Sequence, residues 1–199
     1  MDLLIATTNA HKVREMRTLL RTFKNFDLYT LLDFPNYRPP EEDGSSFEEI
    51  AIKKATDAAS KLSIATLADD SGLVVPALGG RPGIFSARFA GLNATDKENR
   101  HLLLKEMSHL EGIGRNAYFE CAIAFAVPQG LKKSVRGTVE GYLLGKERGR
   151  HGFGYDPLFV KHDYNQTFAE LEESVKNRIS HRGKALQKLL IYLESFAAS

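Results

Sequence analysis

The apolar positions of this chain change period several times, and each change marks an element. LLIATT, from Leu3 to Thr8, is a short apolar run of the kind that fits a buried strand. In the following stretch, NAHKVREMRTLLRTF, the residues Val13, Met16, Leu20 and Phe23 recur at helical spacing, with Asn9 as candidate N-cap. Prolines and acids between Asp33 and Gly44 break any period and predict a loop. Ser46 and Glu49 have the spacing of a capping box and open a helix over FEEIAIKKATDAASKL. IATLA then reads as a strand that delivers Asp69 and Asp70 at its end, against a Ser-Gly turn.

Beyond the turn GGRPG, Thr95 and Glu98 form a second capping box, predicting a helix through Leu110. NAYFECAIAFAV alternates, so Ala117, Phe119, Cys121, Ile123, Phe125 and Val127 are expected on one side of a strand. Pro128, Gln129 and Gly130 turn the chain into a partner strand around SVRGTVEG. A loop rich in Gly and Arg, GKERGRHGFGYDP, leads to a short strand, LFV. Thr167 and Glu170 are expected to cap a short helix. The closing segment SHRGKALQKLLIYLESF sets Ala185, Leu189, Tyr192, Leu193 and Phe196 on one helical face. Strands and helices in this mixed order predict an α/β fold with a mixed sheet.

Composition narrows the class. A chain of 199 residues is long enough for one large domain or two small lobes. A net charge of +2 is too small for a general nucleic-acid binder. No apolar stretch reaches membrane-spanning length, and the start is expected to be a strand rather than a signal peptide. The single cysteine, Cys121, has no partner for a disulfide within the chain and sits in an apolar run, which favours a core position and a reducing cytoplasm.

Four stretches could carry chemistry. At TTNAHK a strand ends on a helix N-terminus, where unpaired N–H groups favour anions. Lys12 in that first turn opposes the helix dipole, which suits a lysine facing phosphate, although by itself the position favours an ordinary surface lysine. Asp69 and Asp70 are adjacent like charges; either they sit in a solvated turn or a cation such as Mg²⁺ neutralises them, with Glu41 and Glu42 within reach. GFGYDP places Phe153, Tyr155 and Asp156 beside glycines, an aromatic surface for a base or a plain anchored loop. KNRISHRG gathers Lys176, Arg178, His181 and Arg182 next to Ser180, a candidate N-cap. His101 and His109 form no H-E-x-x-H, and no P-loop or G-x-S-x-G is present. Together the four stretches suit a nucleoside triphosphate with a metal.

The ordered set TTNAHK, EEDGSSFEEIAIKKA, ADDSGLVVPALGGRPGIFSARFAG, FGYDPLF and SHRGKAL, over nearly the whole chain, resembles the inosine triphosphate pyrophosphatase family. The resemblance implies an elongated, two-lobed α/β subunit whose mixed central sheet is flanked by helices, with an active-site groove. It implies one nucleoside triphosphate pyrophosphatase domain over residues 1–199, a cytoplasmic homodimer, and neither nucleic acid nor membrane as partner. The implied activity is Mg²⁺-dependent hydrolysis of ITP, dITP and XTP to monophosphate and pyrophosphate, which clears deaminated purines from the nucleotide pool. Matched residue by residue, Thr7, Thr8, Asn9, Ala10, His11 and Lys12 would cradle the triphosphate. Glu42 and Asp70 would bind the metal, Asp70 also serving as general base, and Ser71 would touch substrate. Phe153, Gly154, Tyr155 and Asp156 match the base-side loop, while Lys176, His181 and Arg182 match residues that grip base and phosphates. Three positions depart from the family pattern: Thr8 and His11 stand where glycines are usual, and Ile50 where asparagine is usual. The competing expectations are a pyrophosphatase for pyrimidine or modified nucleotides, and a non-catalytic nucleotide or RNA binder using Lys146 to Arg150 and KNRISHR.

Overall fold

The structure, a computed structural model, describes residues 1–21 and 26–197; Phe23 lies outside them. Six strands form one sheet in the order β2-β1-β3-β4-β5-β6. These are β1 (Asp2–Ile5), β2 (Asp27–Thr30), β3 (Ala65–Val74), β4 (Asn116–Val127), β5 (Gly130–Leu143) and β6 (Phe159–Lys161). The sheet is mixed: β1 pairs in parallel with β2 and β3, whereas β5 and β6 are antiparallel. Among the described residues five α-helices accompany it, α1 (Ala10–Leu20), α2 (Phe47–Leu62), α3 (Asp96–Glu106), α4 (Glu173–Ile179) and α5 (His181–Ala197). The expected α/β architecture is therefore the observed one.

The chain divides into two compact units, each with its own apolar core. The first comprises Met1–Asp70, Cys121–Gly137 and Arg182–Ser199. Its core joins Leu3, Ile5, Met16, Leu20, Leu67, Ile123 and Phe125 to Leu186, Leu189 and Leu193 of α5. Phe125 meets the rings of Tyr192 and Phe196 edge-on, so the apolar face expected of the closing helix is the one it buries. The second comprises Ser71–Glu120 and Thr138–His181. Leu73, Val75, Leu103, Met107, Phe119, Leu158, Phe159 and Phe168 fill it, with Phe119, Phe159 and Phe168 in mutual ring contact.

Several local expectations hold. Asn9 caps α1, its side chain accepting from the N–H groups of His11 and Lys12 at 2.9 and 3.2 Å. Thr95 and Glu98 form both bonds of their capping box at α3. That helix ends short of Leu110, because the guanidinium of Arg115 donates to the carbonyls of Met107 and Leu110 and closes the turn there.

Three further expectations are corrected. The capping box at Ser46 is only half made. Ser46 Oγ accepts from the Glu49 N–H, but the Glu49 carboxylate reaches back one residue further, to the N–H and hydroxyl of Ser45. The strand carrying the aspartates does not stop at a Ser-Gly turn. It runs through Ser71 and Gly72 to Val74, because Leu73 and Val75 beyond them belong to the second core and the Leu73 N–H is taken by Ser86 Oγ at 2.9 Å. Strand β4 keeps the expected alternation, with Ala117 and Phe119 in the second core and Cys121, Ile123, Phe125 and Val127 in the first, and from Cys121 onward the intervening positions are buried as well.

Thr167 and Glu170 do pair, at 2.8 Å, yet they close a turn rather than a helix. The backbone of Ala169 is already engaged there: its N–H donates to Asp156 and its carbonyl accepts from Arg150 and His151. Helix α4 begins only at Glu173.

Candidate active site

In the first unit, β1 ends at Ile5 and the chain turns through Thr7, Thr8 and Asn9 into α1. Thr7 is buried, and its hydroxyl accepts from the Asn9 N–H at 3.3 Å. Thr8, Asn9, Ala10 and His11 are exposed, so the first turn of α1 presents its backbone to solvent. The positive end of the helix dipole at such a turn favours anions, with the His11 and Lys12 N–H groups held by the Asn9 cap.

Successive residues of a strand point to opposite faces, and Asp69 and Asp70 accordingly meet different partners. The Asp69 carboxylate is completely buried. Its Oδ2 lies 3.0 Å from Lys12 Nζ and accepts from Arg182 Nε and Nη2 at 3.2 and 3.1 Å. Arg182, at the start of α5, is 1% exposed and also pairs with Glu15 of α1. The Cys121 thiol is 3.8 Å from the same Asp69 oxygen. Burial works to raise the Asp69 pKa, but Lys12, Arg182 and Lys54 outweigh it and hold the carboxyl well below the usual range. It is a fixed anion. The thiol is pushed up by burial and then by Asp69, which keeps it inert.

Asp70 differs. Its Oδ1 is 3.7 Å from Lys54 Nζ, which also bonds Glu42 Oε1 and the Asp69 carbonyl, each at 2.9 Å. Burial raises the Asp70 pKa to about 6; Lys12 and Lys54 oppose the rise, while Glu42 and Asp69 add to it. For Lys54 burial works against the charge, yet Asp70, Asp69 and Glu42 prevail and hold the ammonium above its ordinary range. Three cations (Lys12, Lys54, Arg182) thus face four carboxylates (Glu15, Glu42, Asp69, Asp70). Asp70 is the carboxylate left undercompensated.

In the second unit the loop GFGYDP is fixed by its own hydrogen bonds. Asp156 Oδ2 accepts from the Phe153 N–H at 2.9 Å and from Lys176 Nζ of α4 at 2.6 Å, with both side chains of that ion pair buried. Lys176 Nζ also lies 4.9 Å from the Phe153 ring centroid, a cation–π contact. The Tyr155 hydroxyl donates to the Ser86 carbonyl at 2.9 Å. A Cβ on Gly152 would stand 2.1 Å from Asp156 Oδ2, and φ is +76° there, so that position admits only glycine. The ring of His181 stacks on Phe119, with centroids 4.8 Å apart. Ser71 opens this unit.

The structure therefore gathers Lys12, Glu42, Asp70 and Arg182 within the first unit, beside the turn of Thr7 to His11. It gathers Phe153, Gly154, Tyr155, Asp156 and Lys176 within the second, where His181 stacks on Phe119. Sequence reasoning missed Lys54 and Glu15. A usable signal existed for Lys54: it shares the helical face of Ile50, Ala51, Ala55 and Ala58, and a lysine on an otherwise apolar face calls for buried carboxylates. Glu15 gives none, since an acid on a basic helix reads as solvated surface.

A mixed α/β sheet that ends a strand on an anion-favouring turn beside buried acids defines a class of phosphate-handling protein. The comparisons make this specific: residues 3–192 match the Ham1 family, and the chain belongs to it. The chain is 54% identical over 196 residues to the dITP/XTP pyrophosphatase of Protochlamydia amoebophila, covering 98% of both chains. It is 50% identical over 200 residues to the dITP/XTP pyrophosphatase of Chlamydia trachomatis serovar L2, covering 100% of this chain and 96% of that one. Among solved structures, the HAM1 protein from Coxiella burnetii matches with a TM-score of 0.88 at 38% identity, over 98% of this chain and 99% of that one. The Staphylococcus aureus Ham1 protein matches at 0.87 and 37%, with the same coverage.

Proposed function

We propose that this chain hydrolyses deaminated purine nucleoside triphosphates (ITP, dITP and XTP) to the monophosphate and pyrophosphate, and so clears them from the nucleotide pool. The observation that carries the reading is Asp70: a buried carboxyl with a pKa near 6, set beside Glu42 and Lys54 and next to a turn built for anions. An acid raised this far is matched to taking a proton near neutral pH.

The donor set at Asp70 fits Mg²⁺, which is commonly held by one or two carboxylates with the substrate's own phosphates and water. Glu42 and Asp70 converge on one ammonium, so a cation is already the species that their geometry accommodates. Mg²⁺ held there would neutralise charge on the phosphates. Asp70 accepts a proton from the attacking water as its oxygen bonds to the α-phosphorus. The bond from that phosphorus to the β-phosphate bridging oxygen breaks, and pyrophosphate leaves. Thr7, Thr8, Asn9, Ala10 and His11 bind the phosphates through backbone and side-chain donors, and Lys12 offsets the charge on the leaving group. Asp69, itself fixed by Arg182, orients Lys12 and holds it against the turn.

Phe153, Gly154, Tyr155 and Asp156, with Ser71, Lys176 and His181, take the nucleoside. A 6-keto purine offers an acceptor at position 6 and a donor at N1, the reverse of adenine, and a site with matching partners rejects the wrong edge strongly. The reading includes a cytoplasmic homodimer, checked by light scattering. Among the described residues no helix is long and apolar enough to cross a membrane. Pyrophosphate release measured with Mg²⁺ across ITP, XTP, dITP, GTP, ATP, dTTP and UTP tests the activity. Equal turnover of all seven, or of none, contradicts it.

A further inference from the structure

The loop assigned above to the base is held by residues that have so far been given no functional role. Gly154 is gripped on both of its peptide groups. Its N–H donates to Asp96 Oδ2 at 2.7 Å, and its carbonyl accepts from Arg100 Nη1 at 2.8 Å. Asp96 and Arg100 are four apart on α3, so they lie on one face of its first turns. Arg100 is fixed in turn by a two-pronged ion pair with Glu147, Nε to Oε1 at 2.9 Å and Nη2 to Oε2 at 3.2 Å. Glu147 belongs to the segment that leads into the loop. One helical face thus clamps the loop at its tip and near its start.

Gly154 has φ +57°, and no packing holds the place where its side chain would be: nothing lies within 4 Å of a Cβ there. Phe153 and Tyr155 on either side have bonds of their own, to Asp156 and to Ser86, and the Gly154 peptides that join them need a restraint as well. The bonds from Asp96 and Arg100 supply that restraint. Both involve a charged partner, the stronger kind of hydrogen bond.

We infer that Asp96 and Arg100 are positioning residues that preorganise the 153–156 loop for the purine, so that they set base affinity and discrimination without touching substrate. The inference rests on the reading of that loop as the base site. A loop released from the clamp must be ordered at the moment of binding, and the lost order appears as weaker nucleoside binding. The phosphate-binding turn at Thr7 to Lys12 takes no part in the clamp, so phosphate binding stays as it is.

The test uses the full-length protein and the variants Asp96→Ala, Arg100→Met and Arg100→Lys. Inosine monophosphate and inorganic pyrophosphate serve as separate probes in calorimetric titrations with Mg²⁺, alongside the ratio of kcat/KM for XTP over ATP. Arg100→Met should weaken inosine monophosphate about tenfold, the scale of one charged hydrogen bond, and Asp96→Ala roughly threefold to tenfold. Pyrophosphate affinity should stay within about twofold, the XTP/ATP ratio should fall, and the loss should lie mainly in KM. Arg100→Lys keeps the charge but loses the fork to Glu147 and should recover only part of the loss. Asp96 is exposed, so Asp96→Ala decides the matter alone should Arg100→Met fail to fold. Equal weakening of both probes, or unchanged inosine monophosphate affinity in folded variants, overturns the inference. Wild-type protein that neither binds inosine monophosphate nor hydrolyses XTP overturns the functional reading instead.

Discussion

Replacing Asp70 with asparagine should abolish turnover and yet stabilise the metal-free fold. The side chain keeps its shape and loses its charge. Burial lifts the Asp70 pKa from 3.8 to about 6, so the folded chain holds that proton to a higher pH than the unfolded chain does. Between those values the native state binds more protons, and stability falls as pH rises through the window. Above pH 6 the whole penalty is present. At about 1.4 kcal/mol per pH unit the gap sets a ceiling of about 3 kcal/mol. Released from it, Asp70→Asn should gain about 1–3 kcal/mol at pH 8, a rise of roughly 2–4 °C in Tm for each kcal/mol in a chain of this size. Near pH 4 the two proteins should differ little. The assay is urea unfolding of both proteins with EDTA at pH 4 and pH 8, beside pyrophosphate release with Mg²⁺. An asparagine variant less stable than wild type at pH 8, or a difference that does not change with pH, refutes the reasoning.

Other consequences follow from the same geometry. Arg182→Met leaves Glu15 and Asp69 buried without their shared cation, and should cost about 3–5 kcal/mol in urea unfolding at pH 7. The depressed Asp69 pKa contributes stability that is complete above its unfolded value near 4 and is lost as pH falls towards the folded pKa. Acid titration of unfolding should therefore show a slope that Asp69→Asn removes. Gly152→Ala drives a methyl into the Asp156 carboxylate and strains a left-handed backbone. It should cost about 1–3 kcal/mol in thermal unfolding and raise KM for XTP more than it lowers kcat. Lys54→Met removes the ammonium between Glu42 and Asp70, and the pH at which activity reaches half its maximum should move upward in the pH–rate profile.

Much of this was legible in the residues, because most elements obey a single period. The α1 cap, the α3 capping box and the apolar face of α5 each depend on contacts a few residues apart, and they fell where the pattern placed them. The misses share a different cause. Nothing local says that β3 continues past Asp70; the reason is the burial of Leu73 and Val75 in a core assembled from distant segments. Thr167 and Glu170 have the spacing of a cap, but the Ala169 backbone was claimed by Arg150, His151 and Asp156, which local pattern does not see. The two aspartates posed the same difficulty. Adjacent in sequence, they sit on opposite faces of one strand, and their partners Lys12, Arg182 and Lys54 come from three helices. That separation makes one a fixed anion and the other a carboxyl poised near neutral pH.

The most direct test of the central claim is pyrophosphate release from XTP and dITP, set against ATP and GTP, with Mg²⁺ at neutral pH and Asp70→Asn as control. The account predicts rapid release from XTP and dITP, far slower release from ATP and GTP, and none from folded Asp70→Asn. Undiminished turnover in that variant, or equal turnover of all four nucleotides, would contradict it.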